Sequence, residues 1–133
     1  MLIRSKAPLR LGLAGGGTDV SPYSDIYGGG ILNATINLFA YATIEPTEDG
    51  SIIFETADRS AVKVYKSGSI IKPEGIFDIH AGIYNRIAND FAHKKLSFRL
   101  ITSIDAPQLS GLGTSSTLAV AILGAFVEWL KLP

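Results

Sequence analysis

Apolar and polar positions alternate along the first two thirds of the chain, and glycine, proline and aspartate divide it into short segments. Residues 2–6 and 10–14 read as two short strands on either side of Pro8, and Gly15-Gly16-Gly17 forces a turn after them because none of the three carries a Cβ. Residues 31–45 are mostly apolar and β-tolerant, and Glu48-Asp49-Gly50 is a turn signal that predicts a hairpin with a second strand at 51–56. Alternation over 61–66 predicts another strand with one open face, closed by Gly68.

The period then changes to that of a helix. From Asp78, the residues Ile79, Ile83, Ile87 and Phe91 recur every four positions, with Arg86, Asn89 and Asp90 between them and Lys94-Lys95 beyond the end. A strand at 96–104 precedes a helix at 114–130 whose apolar residues cover most of its circumference, so deep burial is expected there. Hairpin-linked strands with two helices predict an α+β domain, helices packed on one face of a mostly antiparallel sheet. His80 and His93 are the only histidines and lack partners at metal-ligand spacing, so a structural or solvated role is expected for both. Phe126, Trp129 and Leu130 read as core, or as surface for a further part of the protein.

Composition narrows the classes. With 133 residues, 47% of them hydrophobic, the chain has enough apolar mass for one packed domain. Twelve basic and twelve acidic residues cancel, which removes the attraction that nucleic-acid binders and anionic-membrane binders use. The absence of cysteine excludes disulfides, thiolate metal sites and cysteine nucleophiles. Pro8 and Arg10 interrupt what would be the apolar core of a secretion signal, and the longest apolar run, 118–127, is half of the ~20 residues needed to span a bilayer. A cytoplasmic, soluble protein is expected. Because the sequence stops at Pro133, directly after an apolar helix, we expect a truncated domain, inactive alone and prone to self-association, with a C-terminal domain absent.

Two stretches carry chemistry. Asp105-Ala106-Pro107-Gln108-Leu109-Ser110-Gly111-Leu112-Gly113-Thr114-Ser115-Ser116-Thr117 lies between a strand and a helix. Its glycines allow backbone amides to approach a ligand, and the amides of the helix start, with the positive end of the helix dipole, favour phosphate. Hydroxyls at 114–117 add donors and can ligate Mg²⁺. No lysine follows the second glycine, so this is not a Walker motif. The plainer reading is a glycine turn with Thr114 or Ser115 capping the helix. Gly113-Thr114-Ser115 also partly matches a nucleophile elbow, but Thr117 stands where that motif needs glycine and no suitable histidine and acid follow.

The second stretch is Ala7-Pro8-Leu9-Arg10-Leu11-Gly12-Leu13-Ala14-Gly15-Gly16-Gly17-Thr18-Asp19. A strand delivers Arg10, and the glycine turn then presents Thr18 and Asp19, so a cation and a carboxylate can face one cleft. A surface ion pair beside an Asp-capped turn is the plainer alternative.

Together the two stretches resemble the motifs of the GHMP small-molecule kinases. The run Pro-x-x-x-Gly-Leu-Gly-Thr-Ser-Ser is similar to their ATP-binding loop, and Ala-Pro-x-Arg before a glycine turn ending in Thr-Asp is similar to their substrate motif. This resemblance implies the ribosomal protein S5 domain 2-like fold, ATP held by Gly111, Leu112, Gly113, Thr114, Ser115 and Ser116, and Mg²⁺ on Ser115. It also implies Arg10 beside the transferred phosphoryl group and a sugar held by Gly15, Gly16, Gly17, Thr18 and Asp19. The metal-binding glutamate and catalytic aspartate of the family are expected outside this chain. Galactokinases carry Glu-His before Thr-Asp, whereas this chain has Gly16-Gly17, which argues against galactose. The form Gly-Gly-Gly-Thr-Asp, followed by Pro22-Tyr23 and by Gly28-Gly29-Gly30-Ile31-Leu32-Asn33, resembles the heptose phosphate kinases within the family and, more distantly, the fucokinases. It implies transfer to the anomeric hydroxyl of D-glycero-D-manno-heptose 7-phosphate. Alternatives are a binding module without turnover and another GHMP kinase such as a fucokinase.

Overall fold

Strand alternation, two amphipathic helices and a set of positive-φ glycines arrange the chain as β1 (Ile3–Ala14), α1 (Tyr23–Tyr27), β2 (Leu32–Pro46), β3 (Ser51–Thr56), β4 (Ala61–Lys66), α2 (Asp78–Asp90), β5 (Phe98–Ile104) and α3 (Thr114–Leu130). The computed structural model describes residues 1–92, 94–107 and 110–133; the histidine at 93 and the loop positions Gln108 and Leu109 therefore lie outside the described residues. The five strands form one sheet in the order β1-β2-β5-β3-β4. Pairing is antiparallel except between β3 and β5, which run parallel. The α+β class and the mostly antiparallel sheet agree with the sequence reading.

Four local expectations are corrected. The two strands expected around Pro8 are one strand, continuous from Ile3 to Ala14. Proline is tolerated because β1 is an edge strand, where its missing N–H deprives no neighbour of a bond. Pairing slips just after it: β1 moves from Pro8 to Arg10 while β2 moves from Phe39 to Thr35. A bulge of this kind re-aims the side chains beyond it.

The hairpin expected at 48–50 is not formed, because β5 lies between β2 and β3. The Asp49 carboxylate instead accepts hydrogen bonds from Thr47 Oγ1, Ser51 N, Ser51 Oγ and Ser97 Oγ at 2.8–3.0 Å, which ties the turn to the chain entering β5. Those donors hold its carboxyl near pKa 2, with Ser51 the largest contributor.

On α2 the core face is His80, Ala81, Tyr84 and Ile87, with Ile79 and Ile83 only half-buried at its flank and Phe91 exposed. On α3 the buried face is Thr117, Leu118, Ala121, Ile122, Ala125 and Phe126, while Val120, Leu123 and Val127 remain open, so its burial is one-sided. Phe54, Phe98 and Phe126 meet with Tyr84 and Trp129 in an aromatic core between helices and sheet, with ring centroids 5.3–6.4 Å apart.

Candidate functional site

The bulge after Pro8 brings Arg10 to the start of α3, more than a hundred positions away in sequence. Its backbone N–H donates to the Leu112 carbonyl at 3.1 Å, and its Nη1 donates to Ser116 Oγ at 3.0 Å. The guanidinium lies directly on Gly113: a Cβ there would stand 2.5 Å from Nη1 and 2.8 Å from Cζ. Gly113 also has φ +71, a left-handed conformation that side chains disfavour, so glycine is favoured by its backbone, and any larger residue would also have to push the guanidinium aside. The loop before it is anchored from the other side, where Asp105 Oδ2 accepts from Phe39 N and Asp105 N donates to Phe39 O, both at 2.9 Å. These bonds satisfy Phe39 backbone groups that face β5 just beyond the last β2–β5 pair, Ala40 with Ile104.

Gly113 is the N-cap of α3, and no side chain caps that end. The capping role for Thr114 or Ser115 is therefore absent among the described residues. Ser116 Oγ is engaged with Arg10 and with the Gly113 carbonyl at 3.1 Å, Thr114 is half-buried, and Ser115 is exposed with no hydrogen bond among the described residues. First-turn amides of a helix lack partners in the turn before them, so this end presents donors and the positive end of a 17-residue helix.

Facing it is the glycine turn 15–17. Gly16, Gly17 and Asp19 line a cavity of about 500 Å³ together with Arg10, Gly111 and Gly113, so residues from both sequence stretches share one space. Leu112, Thr114, Ser115 and Ser116 do not line it. Gly15 and Thr18 stand behind the wall: the Thr18 hydroxyl bonds the Gly15 carbonyl at 2.7 Å, the Gly30 carbonyl at 3.1 Å and the Gly30 N–H at 3.2 Å. Asn33 and Gly12, paired across β1 and β2, also line the cavity, and neither was singled out as a site residue from sequence. The available signal was the second glycine triplet, Gly28-Gly29-Gly30, placed just before Asn33.

A cavity of about 480 Å³, lined by Asp58, Arg59, Ile104, Asp105, Ala106 and Pro107, lies at the upstream end of the same loop. Two somewhat larger cavities, about 580 and 600 Å³, sit around Lys94 and Lys95. Their linings include neither a helix N-terminus nor an arginine, so the cavity between the two glycine motifs is the better chemical candidate. His80 is remote from it: fully buried, Nε2 2.9 Å from Thr102 Oγ1, Nδ1 unpartnered, and pushed by burial to a pKa of about 4, it is a core residue. Among the described residues there is no group of three or more histidine, aspartate or glutamate side chains that could hold a metal ion.

No protein-family model matches the chain. Over 131 residues, 98% of its length, it is 52% identical to the D-glycero-alpha-D-manno-heptose 7-phosphate kinase of Campylobacter jejuni and covers 39% of that protein. It superposes along its whole length, with TM-score 0.92 and 58% identity, on the crystal structure of a D-glycero-D-manno-heptose 1-phosphate kinase from Bacteroides thetaiotaomicron, covering 43% of it. The galactokinase of Lactococcus lactis complexed with galactose matches 98% of the chain and 33% of its own, with TM-score 0.79 but 19% identity, which speaks for the fold alone. The chain thus spans about two fifths of the length of the heptose phosphate kinases it resembles.

Proposed function

We propose that this chain is the phosphate-binding part of a GHMP-family sugar kinase, which moves the γ-phosphoryl group of ATP to the anomeric hydroxyl of D-glycero-D-manno-heptose 7-phosphate. The observation that carries this reading is the convergence on one cavity of Gly113, the N-cap of α3 that no side chain caps, with Arg10 and Asp19. Identity above half to two heptose phosphate kinases, over nearly the entire chain, supports the substrate class.

Each group has a task in phosphoryl transfer, where catalysis is mostly positioning and electrostatics. The amides of Gly113 to Ser116 receive the phosphate oxygens, and the glycines at 111 and 113 keep side chains out of their way. Arg10, already held at 3.0 Å from Ser116 Oγ, offsets the charge on the group in transit. Asp19, across the cavity, accepts hydrogen bonds from sugar hydroxyls, and Gly16 and Gly17 let the sugar approach the backbone. Asn33 adds an amide to the sugar side of the same wall. The cavity at Asp58 and Arg59 leaves room for the nucleoside beyond the loop. Ser115, an exposed hard oxygen donor beside the phosphate amides, fits one position of a Mg²⁺ shell, whose chemistry is to neutralise phosphate charge.

The test is ADP release from MgATP by the protein in its natural length, with D-glycero-D-manno-heptose 7-phosphate, fucose, galactose and mevalonate offered separately. Turnover is expected with the heptose phosphate, and Asp19→Ala should lower kcat/KM by about 10- to 100-fold, the worth of a hydrogen bond to a charged group. Turnover with none of the four would leave a binding module.

A further inference from the structure

We infer that Thr18 is a positioning residue that clamps the glycine turn 15–17 to the second glycine triplet, 28–30, and thereby holds Asp19 in the cavity. The inference deepens the kinase reading and rests on it for the role of Asp19.

A threonine hydroxyl has one proton and two lone pairs. At 2.7 Å the Gly15 carbonyl takes the proton, while the Gly30 N–H, 3.2 Å away, donates to a lone pair. Thr18 N also donates to the Gly15 carbonyl at 3.1 Å, closing the first turn on itself. Around these bonds the two glycine backbones touch. A Cβ at Gly29 would stand 1.9 Å from the Thr18 carbonyl oxygen, and one at Gly15 would stand 2.0 Å from the Gly30 carbonyl oxygen. These are collisions with backbone, which cannot swing aside as a side chain can. Gly29 and Gly15 therefore serve the contact between the triplets, and Gly16 and Gly17, with nothing near their Cβ positions, face the cavity.

The chain leaves this clamp at Asp19, runs through α1, and returns to it at Gly28, whose N–H donates to Ser24 O at 3.0 Å. Both ends of the excursion are fastened at Thr18. Asp19, the first residue past the fastening, inherits its backbone position from it. Because the Thr18 hydroxyl is spent on Gly15 and Gly30, its contribution to sugar binding passes through Asp19 rather than through contact with the sugar.

Three variants of the natural-length protein decide the matter: Thr18→Val removes the hydroxyl and keeps the shape, Thr18→Ser keeps the hydroxyl, and Gly29→Ala forces the triplets apart while leaving Thr18 intact. Two readouts are needed, hydrogen exchange of the Gly30 amide and separate KM values for heptose phosphate and ATP. Thr18→Val should speed Gly30 exchange and raise the sugar KM about tenfold, with the ATP KM unchanged. Thr18→Ser should restore both, and Gly29→Ala should reproduce the Thr18→Val phenotype, the double variant being no worse than either alone. If Thr18 touched the sugar directly, Gly29→Ala would bind sugar normally and Gly30 exchange would not change in Thr18→Val; either result overturns the inference. If the wild-type protein phosphorylates no sugar, the kinase reading fails by itself, and Gly30 exchange in the three variants still decides whether the clamp exists.

Discussion

A histidine with no exposed surface and one unpartnered nitrogen resists protonation, and His80 is in that position. Phe54 and Phe77 pack against its ring with centroids 5.5 and 5.1 Å away, and Thr102 Oγ1 is its hydrogen-bond partner. Burial lowers its pKa from 6.5 to about 4, so folding favours the neutral form. Above pH 6.5 both folded and unfolded states are neutral and the stability is fully present. Between 6.5 and about 4 the unfolded chain takes up a proton that the folded one refuses, and stability falls, by about 3 kcal/mol over the whole interval. Urea midpoints measured from pH 7 to pH 4 should show this slope, and His80→Leu, although less stable at neutral pH, should flatten it. An unchanged slope in the variant would assign the effect to other groups. Asp49 adds little to it, since the loss it causes sets in only near its unfolded pKa of 3.8 and runs down to about 2, mostly below this range. The sequence pointed to a structural histidine, because no metal partner stood nearby, but not to its burial: the core stripe of α2 is one residue out of phase with the isoleucines that marked the helix.

Elements were legible where their signals are local. The boundaries of α3 and β4 match the sequence reading, since glycine turns and apolar runs set them. Pairing was not, because Glu48-Asp49-Gly50 marks a reversal without saying which strand becomes the neighbour. The actual neighbour, β5, begins at Phe98 and enters between β2 and β3. Likewise Pro8 looked like a break because the edge position of β1 is a property of the sheet and not of the segment. One helix–strand contact tests this packing. Gly124, inside α3, lies so close to β1 that a Cβ would stand 2.6 Å from Ser5 Oγ and 3.5 Å from Ser5 Cβ. Only the hydroxyl is in the way. Alanine at 124 improves helix propensity by about 1 kcal/mol over glycine, a gain that the Ser5 hydroxyl opposes. Gly124→Ala alone should therefore leave the melting temperature nearly unchanged, while Gly124→Ala with Ser5→Ala should raise it by several degrees. A large loss in the double variant would mean that backbone, not the hydroxyl, sets the distance between α3 and β1.

At the scale of the whole molecule, the site is a meeting of three distant segments, around Arg10 to Asp19, Gly28 to Asn33, and Gly111 to Ser116. The residues alone left a capped glycine turn and a surface ion pair open; through their resemblance to those of the GHMP kinases, the first and third were legible as motifs. Their meeting was not, since it depends on the β2 bulge, on α3 crossing β1 and β2, and on the close contact of the two glycine triplets. On the proposed reading Arg10 and Gly111 to Ser116 receive the phosphates and lie in this chain, so MgATP is expected to stabilise it. At a hundredfold excess over Kd the stabilisation is about 2.7 kcal/mol, a rise in melting temperature of roughly 10 °C for a domain of this size. Gly113→Ala should remove most of that rise, because the added methyl requires a left-handed backbone and displaces Arg10 from the helix start. Asp19→Ala, on the proposed sugar side of the cavity, should keep it. A full ligand shift in Gly113→Ala would place the nucleotide away from α3, and a loss in Asp19→Ala would mean that the two halves of the cavity are not separately assigned to nucleotide and sugar.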